Sequence, residues 1–550
     1  MTAAPGGIRR ELLASDATIR WLEIAAFAAV LVVAAVLRFT DLPTRGTWDA
    51  DQGHDMLVLR DLVQHGTVPL LGPPTSIGDF HHGMLYYVLL APAAAVSNAD
   101  PTAVTASIAL GGVAAVGVTA WLARSISGPL AGIVAGILMA VSASAVDEST
   151  FIWNPNLIAL TSSVALAAAW QAWRSGQPGW WVVAGAAAVT TMHCHVLGVI
   201  LSPVIAALLV ADVARRRAAG DRRGARAVLF VALGWLVLLL LSYVPLLVHE
   251  LTNDFSETRA AAAFLTGAGG PAAVALPARL PIVGLRVLGW PLTGLITDAP
   301  IATLIAAALV AALAVWRGWL PGASPRGDER TAVRWLAIGL VWTVVALAVG
   351  ASSLATVVIG LPNDHYHAFA DPIVFVLVGV GIASLVTEGR RRAGERVSFG
   401  AAAATVLVVA LVGWNLTRQP PPVAVDGGWP AAEAAAARVL VASGNQRVSL
   451  VSLPTVKPAD ALRFPLERLQ PDVVIAEPPT GTGSHVDTTA RVVLCDELFH
   501  ETIGADCSGP AENSAFANVI GQPVPRTFLL DRFEAAPGRW ISIYRPTTRR

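Results

Sequence analysis

Apolar runs of roughly 20 residues recur along the whole chain. Each is long enough to cross a hydrocarbon core of about 30 Å as an α-helix. Only 14% of the residues are charged, against about 25% in soluble globular domains. So many apolar helices need lipid, or one another, to cover their surfaces. The fold class is therefore a polytopic α-helical membrane protein, and classes that need a charged, water-facing shell are excluded.

The runs that fit a span are 21–39, 102–122, 129–146, 156–173, 180–192, 196–213, 226–248, 300–317, 334–357, 372–388 and 398–416. Two more, 84–97 and 280–297, are short or broken by Pro92, Pro281 and Pro291, and read as juxtamembrane helices. Arginine clusters set the orientation: Arg9-Arg10, Arg124, Arg174, Arg215 to Arg217 with Arg222-Arg223, Arg317 through Arg334, and Arg390 to Arg392. Positive loops stay cytoplasmic. With residues 1–20 inside and 84–97 lying along the surface, every cluster falls inside. This gives about eleven spans, a first outside loop over 40–101, and an outside C-terminal region. The block 180–213 is split at Met192-His193-Cys194-His195 to keep parity, since polar residues there are costly at mid-membrane. The first run is too long for a signal-peptide core and reads as a retained anchor. Lys457 is the single lysine, and this arginine bias suggests a GC-rich bacterium with the chain in its plasma membrane.

Beyond Pro420-Pro421-Pro422 the character changes. A transmembrane unit over 21–416 gives way to a region, 417–550, of short apolar runs separated by Gly, Pro and Asp. Val448–Leu453, Val473–Ala476, Arg491–Cys495, Phe528–Asp531 and Trp540–Tyr544 read as strands, and Ala431–Ser443 as a helix, of a small extracytoplasmic α/β domain. Cys495 and Cys507 could pair there if that side is oxidising. No internal repeat is visible, which weakens a transporter built from duplicated halves.

The polar residues collect on the outside. The first loop holds Asp49, Asp51, His54, Asp55, Asp79, His81 and His82, within and after the stretch WDADQGHDM. Later loops hold Asp147, Glu148, Trp153, Asn154 and Asn156; His193 and His195; His249, Glu250, Asp254, Glu257 and Arg259; and Asn363, Asp364, His365, Tyr366, His367 and Asp371. Histidine and carboxylate at one membrane face suit proton transfer, metal ligation or contact with an anionic headgroup. Plain readings compete. Asp51 could cap a helix running from Met56 to Val63. Asp147-Glu148 could cap one at Asn154-Pro155. His193 and His195, two apart, face different sides of a helix and make a poor metal pair. Pro479 to His485 is Gly-rich without a following Gly-Lys-Ser/Thr, and is a loop. Asn415-Leu-Thr417 matches a glycosylation triplet that a bacterial chain would not use.

The order of these features resembles that of the GT-C glycosyltransferases, in the branch of the protein O-mannosyltransferases and aminoarabinose transferases, over roughly 21–415. The resemblance rests on four short motifs. Arg38-Phe39 ends a helix and leads to Asp51-Gln52-Gly53-His54-Asp55, which resembles the family's Asp-Glu motif with Gln52 in place of the second acid. His81-His82-Gly83-Met84-Leu85-Tyr86-Tyr87 is similar to its cation-Pro-Pro-Leu-Tyr-Tyr motif. Asp147-Glu148 before Asn154 takes the place of a second acid, and His193 to His195 with His365-Tyr366-His367 resembles its later polar corners. The resemblance implies transfer of a sugar, with inversion, from a polyprenyl-phosphate donor to a glycan, lipid or protein acceptor outside the cytoplasm. Asp51 is then the expected general base and Asp49 the second candidate. His81, His82 and Arg259, with Arg60, would offset the donor phosphate. Asp147, Glu148 and Asn154 would meet the acceptor. His54, Tyr86, His193, His195, His365, Tyr366 and His367 would line the site. Some relatives use a divalent ion, and Mg²⁺ or Mn²⁺ would suit carboxylate oxygens. The expected partners are the lipid-linked donor, the acceptor and the bilayer, with no nucleic acid. The competing readings are a wall-polymer polymerase or ligase of another fold, and a secondary transporter.

Overall fold

The computed structural model describes residues 6–75, 80–264, 266, 274–294, 298–320, 327–350, 365–393, 399–455, 457–474, 490–520 and 527–546. Among them, eight helices are long and apolar enough to cross a membrane: Thr18–Phe39, Pro101–Ser127, Val196–Ala218, Arg222–Ser242, Pro300–Gly318, Gly327–Gly350, Tyr366–Glu388 and Phe399–Leu416. The remaining expected spans are also helical, as Pro129–Val141, Ile158–Ser175 and Gly179–Cys194, and pack into the same bundle. The run 129–146 stops being one helix at Ser142. There the buried Arg38 guanidinium donates to the Met139 and Ala140 carbonyls at 3.3 and 3.0 Å, and to Ala145 O and Ser149 Oγ. A cation at a helix C-terminus satisfies carbonyls that have no partner within the helix. Residues 351–357 and 295–297 of the expected segments lie outside the described residues.

The arginine clusters gather at one end of the bundle. Arg124 pairs with Glu23, Arg174 donates to Ser125 O at 2.9 Å, Arg215 to Trp173 O at 2.8 Å, and Arg216 to Gly176 O at 2.7 Å. Arg317 joins Glu329 and Glu388, and Glu329 in turn accepts from Ser127. The polar loops gather at the other end. The helix Leu85–Ser97, 13 residues, is about 20 Å long and too short to cross. Both its flanks stay at the polar end: Gly83 lies against His193, and Asn98 O accepts from Arg468 at 3.2 Å. The helix Leu276–Thr293 is held likewise, by Arg279 on Ala348 O at 2.6 Å and by Asn415 on Leu292 O at 2.8 Å. Both juxtamembrane expectations agree with this. Asn415 is itself buried in that contact.

The C-terminal region is an α/β domain. Its sheet runs β1 (Val448–Leu453), β2 (Ala490–Asp496), β4 (Arg539–Pro546), β3 (Thr527–Ala536) in spatial order. β1 and β2 are parallel, and β4 is antiparallel to both β2 and β3. Every residue of β2 is buried, as its continuous apolar run requires of a central strand. The expected strand Val473–Ala476 is reduced to a single bridge, Val474 to Val448, and its end lies outside the described residues, as does the loop 479–485. Cys495 and Cys507 form the disulfide.

The domain does not hang free. Its helix Asp460–Leu469 packs on the helix Ala50–Arg60 of the first loop, and a single hydrophobic core runs through both. Trp48 anchors the joint. Its ring meets Trp429 and Phe464 at 4.6 and 5.8 Å, its indole N–H donates to Ala461 O at 2.8 Å, and its backbone N–H donates to Asp426 at 2.8 Å. Arg468 holds Asp100 at 3.0 Å on the far side.

Candidate active site

The acidic stretch WDADQGHDM folds as a helix, Ala50–Arg60, that begins earlier than expected. Asp49 is its N-cap, not Asp51. Gln52 Oε1 accepts the Asp49 N–H at 2.8 Å, the return half of a capping box. Gln52 Nε2 donates to Ile152 O at 2.8 Å, so a buried amide stitches the first loop to the second. A glutamate could accept the first bond but could not make the second, which accounts for Gln52 where the resemblance has an acid.

Asp51 in the first turn and His54 one turn later share a face and line one cavity. Asp55, Pro73, Pro74, His82, Trp153, Asn154 and His195 complete it. Asp51 is exposed to this cavity. Surrounding protein raises its pKa by desolvation, and nearby Asp49 adds to that, while Lys457, His54 and a hydrogen bond from Trp153 oppose it. A carboxylate that is solvent-accessible yet poorly hydrated is a better proton acceptor than one in free water.

Asp55 is different. It is buried, and its two oxygens accept the hydroxyls of Tyr87 and Tyr86 at 2.9 and 2.8 Å. Burial pushes its carboxyl up to about 7. The Tyr-Tyr pair of the second motif thus fastens the acidic helix to the juxtamembrane helix that follows. Asp49 is occupied as well. Lys457 and Arg539, both in the C-terminal domain, reach its two oxygens at 2.6 and 2.8 Å. Burial raises its pKa, but the two cations outweigh that and hold it below the usual carboxylate value.

The histidines divide. His82 and His195 are buried, lie with ring centroids 4.7 Å apart and planes tilted by 39°, and enter the cavity. Each accepts a backbone N–H at Nδ1, from Val196 at 3.1 Å and Leu197 at 3.2 Å. Tyr366 meets the His195 ring edge-on at 5.7 Å. His81 sits outside: Glu257 takes both its backbone N–H, at 2.6 Å, and its Nδ1, at 3.0 Å. Arg259 is exposed on the same Ser256–Ala263 helix. His193 turns away from His195, stacks on Tyr243 at 4.3 Å and bonds Ser242 at 2.9 Å. His367 pairs with Asp371 at 2.8 Å beneath Trp290. The side chain of His365, with Asp79, Asn363 and Asp364, lies outside the described residues.

Arg60, expected at the phosphate, instead pairs with Glu467 at 2.5 Å. Asn154 donates to Cys194 O from the cavity wall. Asp147 and Glu148 line an adjoining recess of about 250 Å³ that shares Trp153 with the Asp51 cavity. Asp147 also faces a cleft of about 440 Å³ between the first loop and the C-terminal domain, bordered by Arg45, Asp49, Asp426, Asp496 and Arg539. Burial pushes the Asp147 carboxyl up to about 6, with Arg45 opposing.

Among the described residues no group of three or more His, Cys, Asp or Glu is arranged to hold a metal ion. Asp55 commits its oxygens to tyrosines and Asp49 its oxygens to cations, so neither is available to a Mg²⁺ or Mn²⁺ ion. Lys457, Arg539, Asp460 and Trp153 are the site residues that sequence reasoning did not assign. Only Trp153, beside Asn154, lay in a stretch already singled out.

No protein-family model matches the sequence, and no curated protein matches it. Solved structures do. ArnT from Cupriavidus metallidurans aligns over 96% of this chain and 98% of its own in the apo state, at 13% identity and a TM-score of 0.55. The same protein bound to undecaprenyl phosphate aligns over 95% and 98%, at 13% identity and a TM-score of 0.54. The archaeal oligosaccharyltransferase AglB from Archaeoglobus fulgidus, in complex with an inhibitory peptide and a dolichol-phosphate, aligns over 95% of this chain and 74% of its own. Its identity is 12% and its TM-score 0.51. The likeness to ArnT spans the C-terminal α/β domain as well as the helical bundle, and this chain shares the fold of ArnT and AglB.

Proposed function

We propose that the chain transfers a sugar from a polyprenyl-phosphate donor to a hydroxyl acceptor outside the cytoplasm, with inversion and with Asp51 as general base. The observation that carries this reading is the cavity itself. It joins a poorly hydrated carboxylate, Asp51, to imidazole, indole and amide donors at the polar end of an apolar bundle. Two short helices flank it at the level where a lipid headgroup enters. Undecaprenyl phosphate and dolichol-phosphate in structures of the same fold support a lipid-phosphate donor here.

A glycosyl phosphate already has a good leaving group. The protein has to take a proton from the acceptor, orient it, and offset charge on the departing phosphate. Among the described lining residues, Asp51 is the one carboxylate whose oxygens are not committed to tyrosines. The cavity holds about 20 Å³, room for a water and not for a sugar, so donor binding displaces part of the lining. The recess at Asp147 and Glu148 is the proposed approach of the acceptor, and the arginine-rich end of the bundle is the proposed cytoplasmic side. A transporter would keep its ionisable groups at mid-span, and here they gather at the ends.

The test is transfer of sugar from a polyprenyl-phosphate donor by the purified protein and by Asp51→Asn. Unchanged transfer in the variant would remove Asp51 from the mechanism. Absence of transfer from any polyprenyl-phosphate sugar in the wild type would remove the function.

A further inference from the structure

The cavity around Asp51 is asked to receive an anion, yet among the described residues none that lines it is a lysine or arginine. The described lining comprises two carboxylates, three imidazoles, one indole, one amide and two prolines. A departing phosphate needs a cation or convergent donors. His82 supplies no charge, because burial drives its pKa well below the ordinary value, with His195 and His81 adding to that. His82 and His195 each accept a backbone N–H at Nδ1, which places the proton of each neutral ring on Nε2.

His54 is built otherwise. Its Nδ1 lies 3.2 Å from Asp460 Oδ2, on the first residue of the C-terminal domain's helix Asp460–Leu469. A carboxylate at Nδ1 fixes the ring's orientation and tautomer, stabilises the imidazolium, and leaves Nε2–H as the second donor. The anchoring of that helix does not depend on this contact. Trp48 holds Ala461 O, Arg60 holds Glu467, and the Gly53 backbone lies so close that an added Cβ would come within 2.1 Å of Asp460 O. The charged and titratable groups facing His54 are Asp51 and Asp55 on its own helix, Asp460 on the docked helix, and His82 and His195 on the opposite wall.

We propose that His54, held by Asp460 as an imidazolium, is the cation that meets the donor phosphate, so that the C-terminal domain completes the site. This rests on the glycosyltransferase reading. Asp460 is then a positioning residue acting through His54. Consistent with this, the His54 pKa is raised, first by the Asp460 hydrogen bond, against desolvation, with Asp55, Asp460 and Asp51 adding their charges.

The experiment measures binding of undecaprenyl phosphate to the purified full-length protein in nanodiscs across about pH 5 to 8, where histidine titrates. Wild-type affinity is expected to fall as pH rises through the His54 pKa. Asp460→Asn should bring that fall to lower pH and weaken neutral binding about tenfold, the equivalent of one pKa unit. Asp460→Glu should restore much of it. Glu467→Gln, which loosens the same helix without touching His54, should leave the curve in place. Titration of the lipid headgroup itself is common to all variants and cancels in the comparison. The proposal is overturned if the Asp460→Asn curve superposes on the wild type, or if Glu467→Gln shifts it equally. Should Asp460→Asn not fold, His54→Lys is expected to flatten the curve at the strong, low-pH level and His54→Gln to hold binding near the weak, high-pH level throughout. Wild-type behaviour in both overturns the proposal. A wild type that binds no undecaprenyl phosphate at any pH overturns the glycosyltransferase reading instead.

Discussion

Lys457, the chain's single lysine, places its ammonium 2.6 Å from Asp49 Oδ2, and Arg539 closes the other carboxylate oxygen at 2.8 Å. Both cations also approach the buried Asp496 at 3.4 Å. Two acids and two bases thus form a near-neutral cluster at the seam between the first loop and the C-terminal domain. This occupation separates Asp49 from Asp51, two residues away. Asp49→Asn is expected to loosen the seam and to leave sugar transfer within about tenfold of wild type, since a partly exposed pair contributes about 0–1 kcal/mol. The pH dependence follows from the lowered Asp49 pKa. Its stabilisation is fully present above the unfolded value of about 3.9 and is lost only as pH falls through the lower folded value. Thermal melts below about pH 4 check this. A melt of Asp49→Asn with the same acid profile as wild type would contradict it.

For Asp51→Asn, a fall of about 10² to 10⁴ in the rate constant for transfer is expected, the range typical of a removed general base. Donor affinity should change much less. The raised Asp51 pKa sets the acid limb of the wild-type rate profile above the ordinary carboxylate range, because the base must be deprotonated to act. Rate-pH profiles of the wild type measure that limb directly, and a limb near the free-carboxylate value would speak against Asp51.

Asp55 carries the opposite signature. Its carboxyl is held at about 7 by burial while the unfolded group titrates at about 3.9. Between those values the folded chain keeps a proton that the unfolded chain has released, so stability falls as pH rises across the window. Asp55→Asn should flatten that decline, and Tyr86→Phe should cost about 1–3 kcal/mol by leaving a buried acceptor short of a donor. Melting temperatures of the three proteins from about pH 4 to about pH 7 are the measurement. An equal decline in wild type and Asp55→Asn would show that other groups set it.

The bundle was legible because period and length alone identify apolar helices, and arginine placement marked which helix ends lie together before any contact was known. The strands of the C-terminal domain were legible to within a few residues for the same reason. The capping box Asp49-x-x-Gln52 was also readable, and would have started the helix at Ala50 instead of after Asp51. The seam was not. Asp460, Lys457 and Arg539 lie more than 400 positions from the residues they hold, His54 and Asp49, and no local pattern records a contact of that range. For His81 and Arg60 the difficulty was chemical. A cation near an expected phosphate is indistinguishable in sequence from one that pairs with a glutamate, and the structure supplies Glu257 and Glu467.

Gln52 offers the sharpest single-residue test of how the loops are joined. Its amide accepts from Asp49 N–H and donates to Ile152 O, both at 2.8 Å, inside a buried environment. Gln52→Glu keeps the size and the first bond, but turns the second contact into two acceptors facing each other. A buried charge opposite a carbonyl costs about 1–3 kcal/mol or more, and another acid next to Asp51 would raise the base's pKa further. The variant is therefore expected to melt at lower temperature and to need higher pH for transfer, and the stability defect alone should ease as the new carboxyl is protonated at acid pH. Gln52→Met, which removes both bonds without adding charge, should share the loss of stability and leave the rate-pH profile near wild type. A Gln52→Glu protein with wild-type melting and an unshifted profile would mean that the amide bridge to Ile152 does not hold the two loops together.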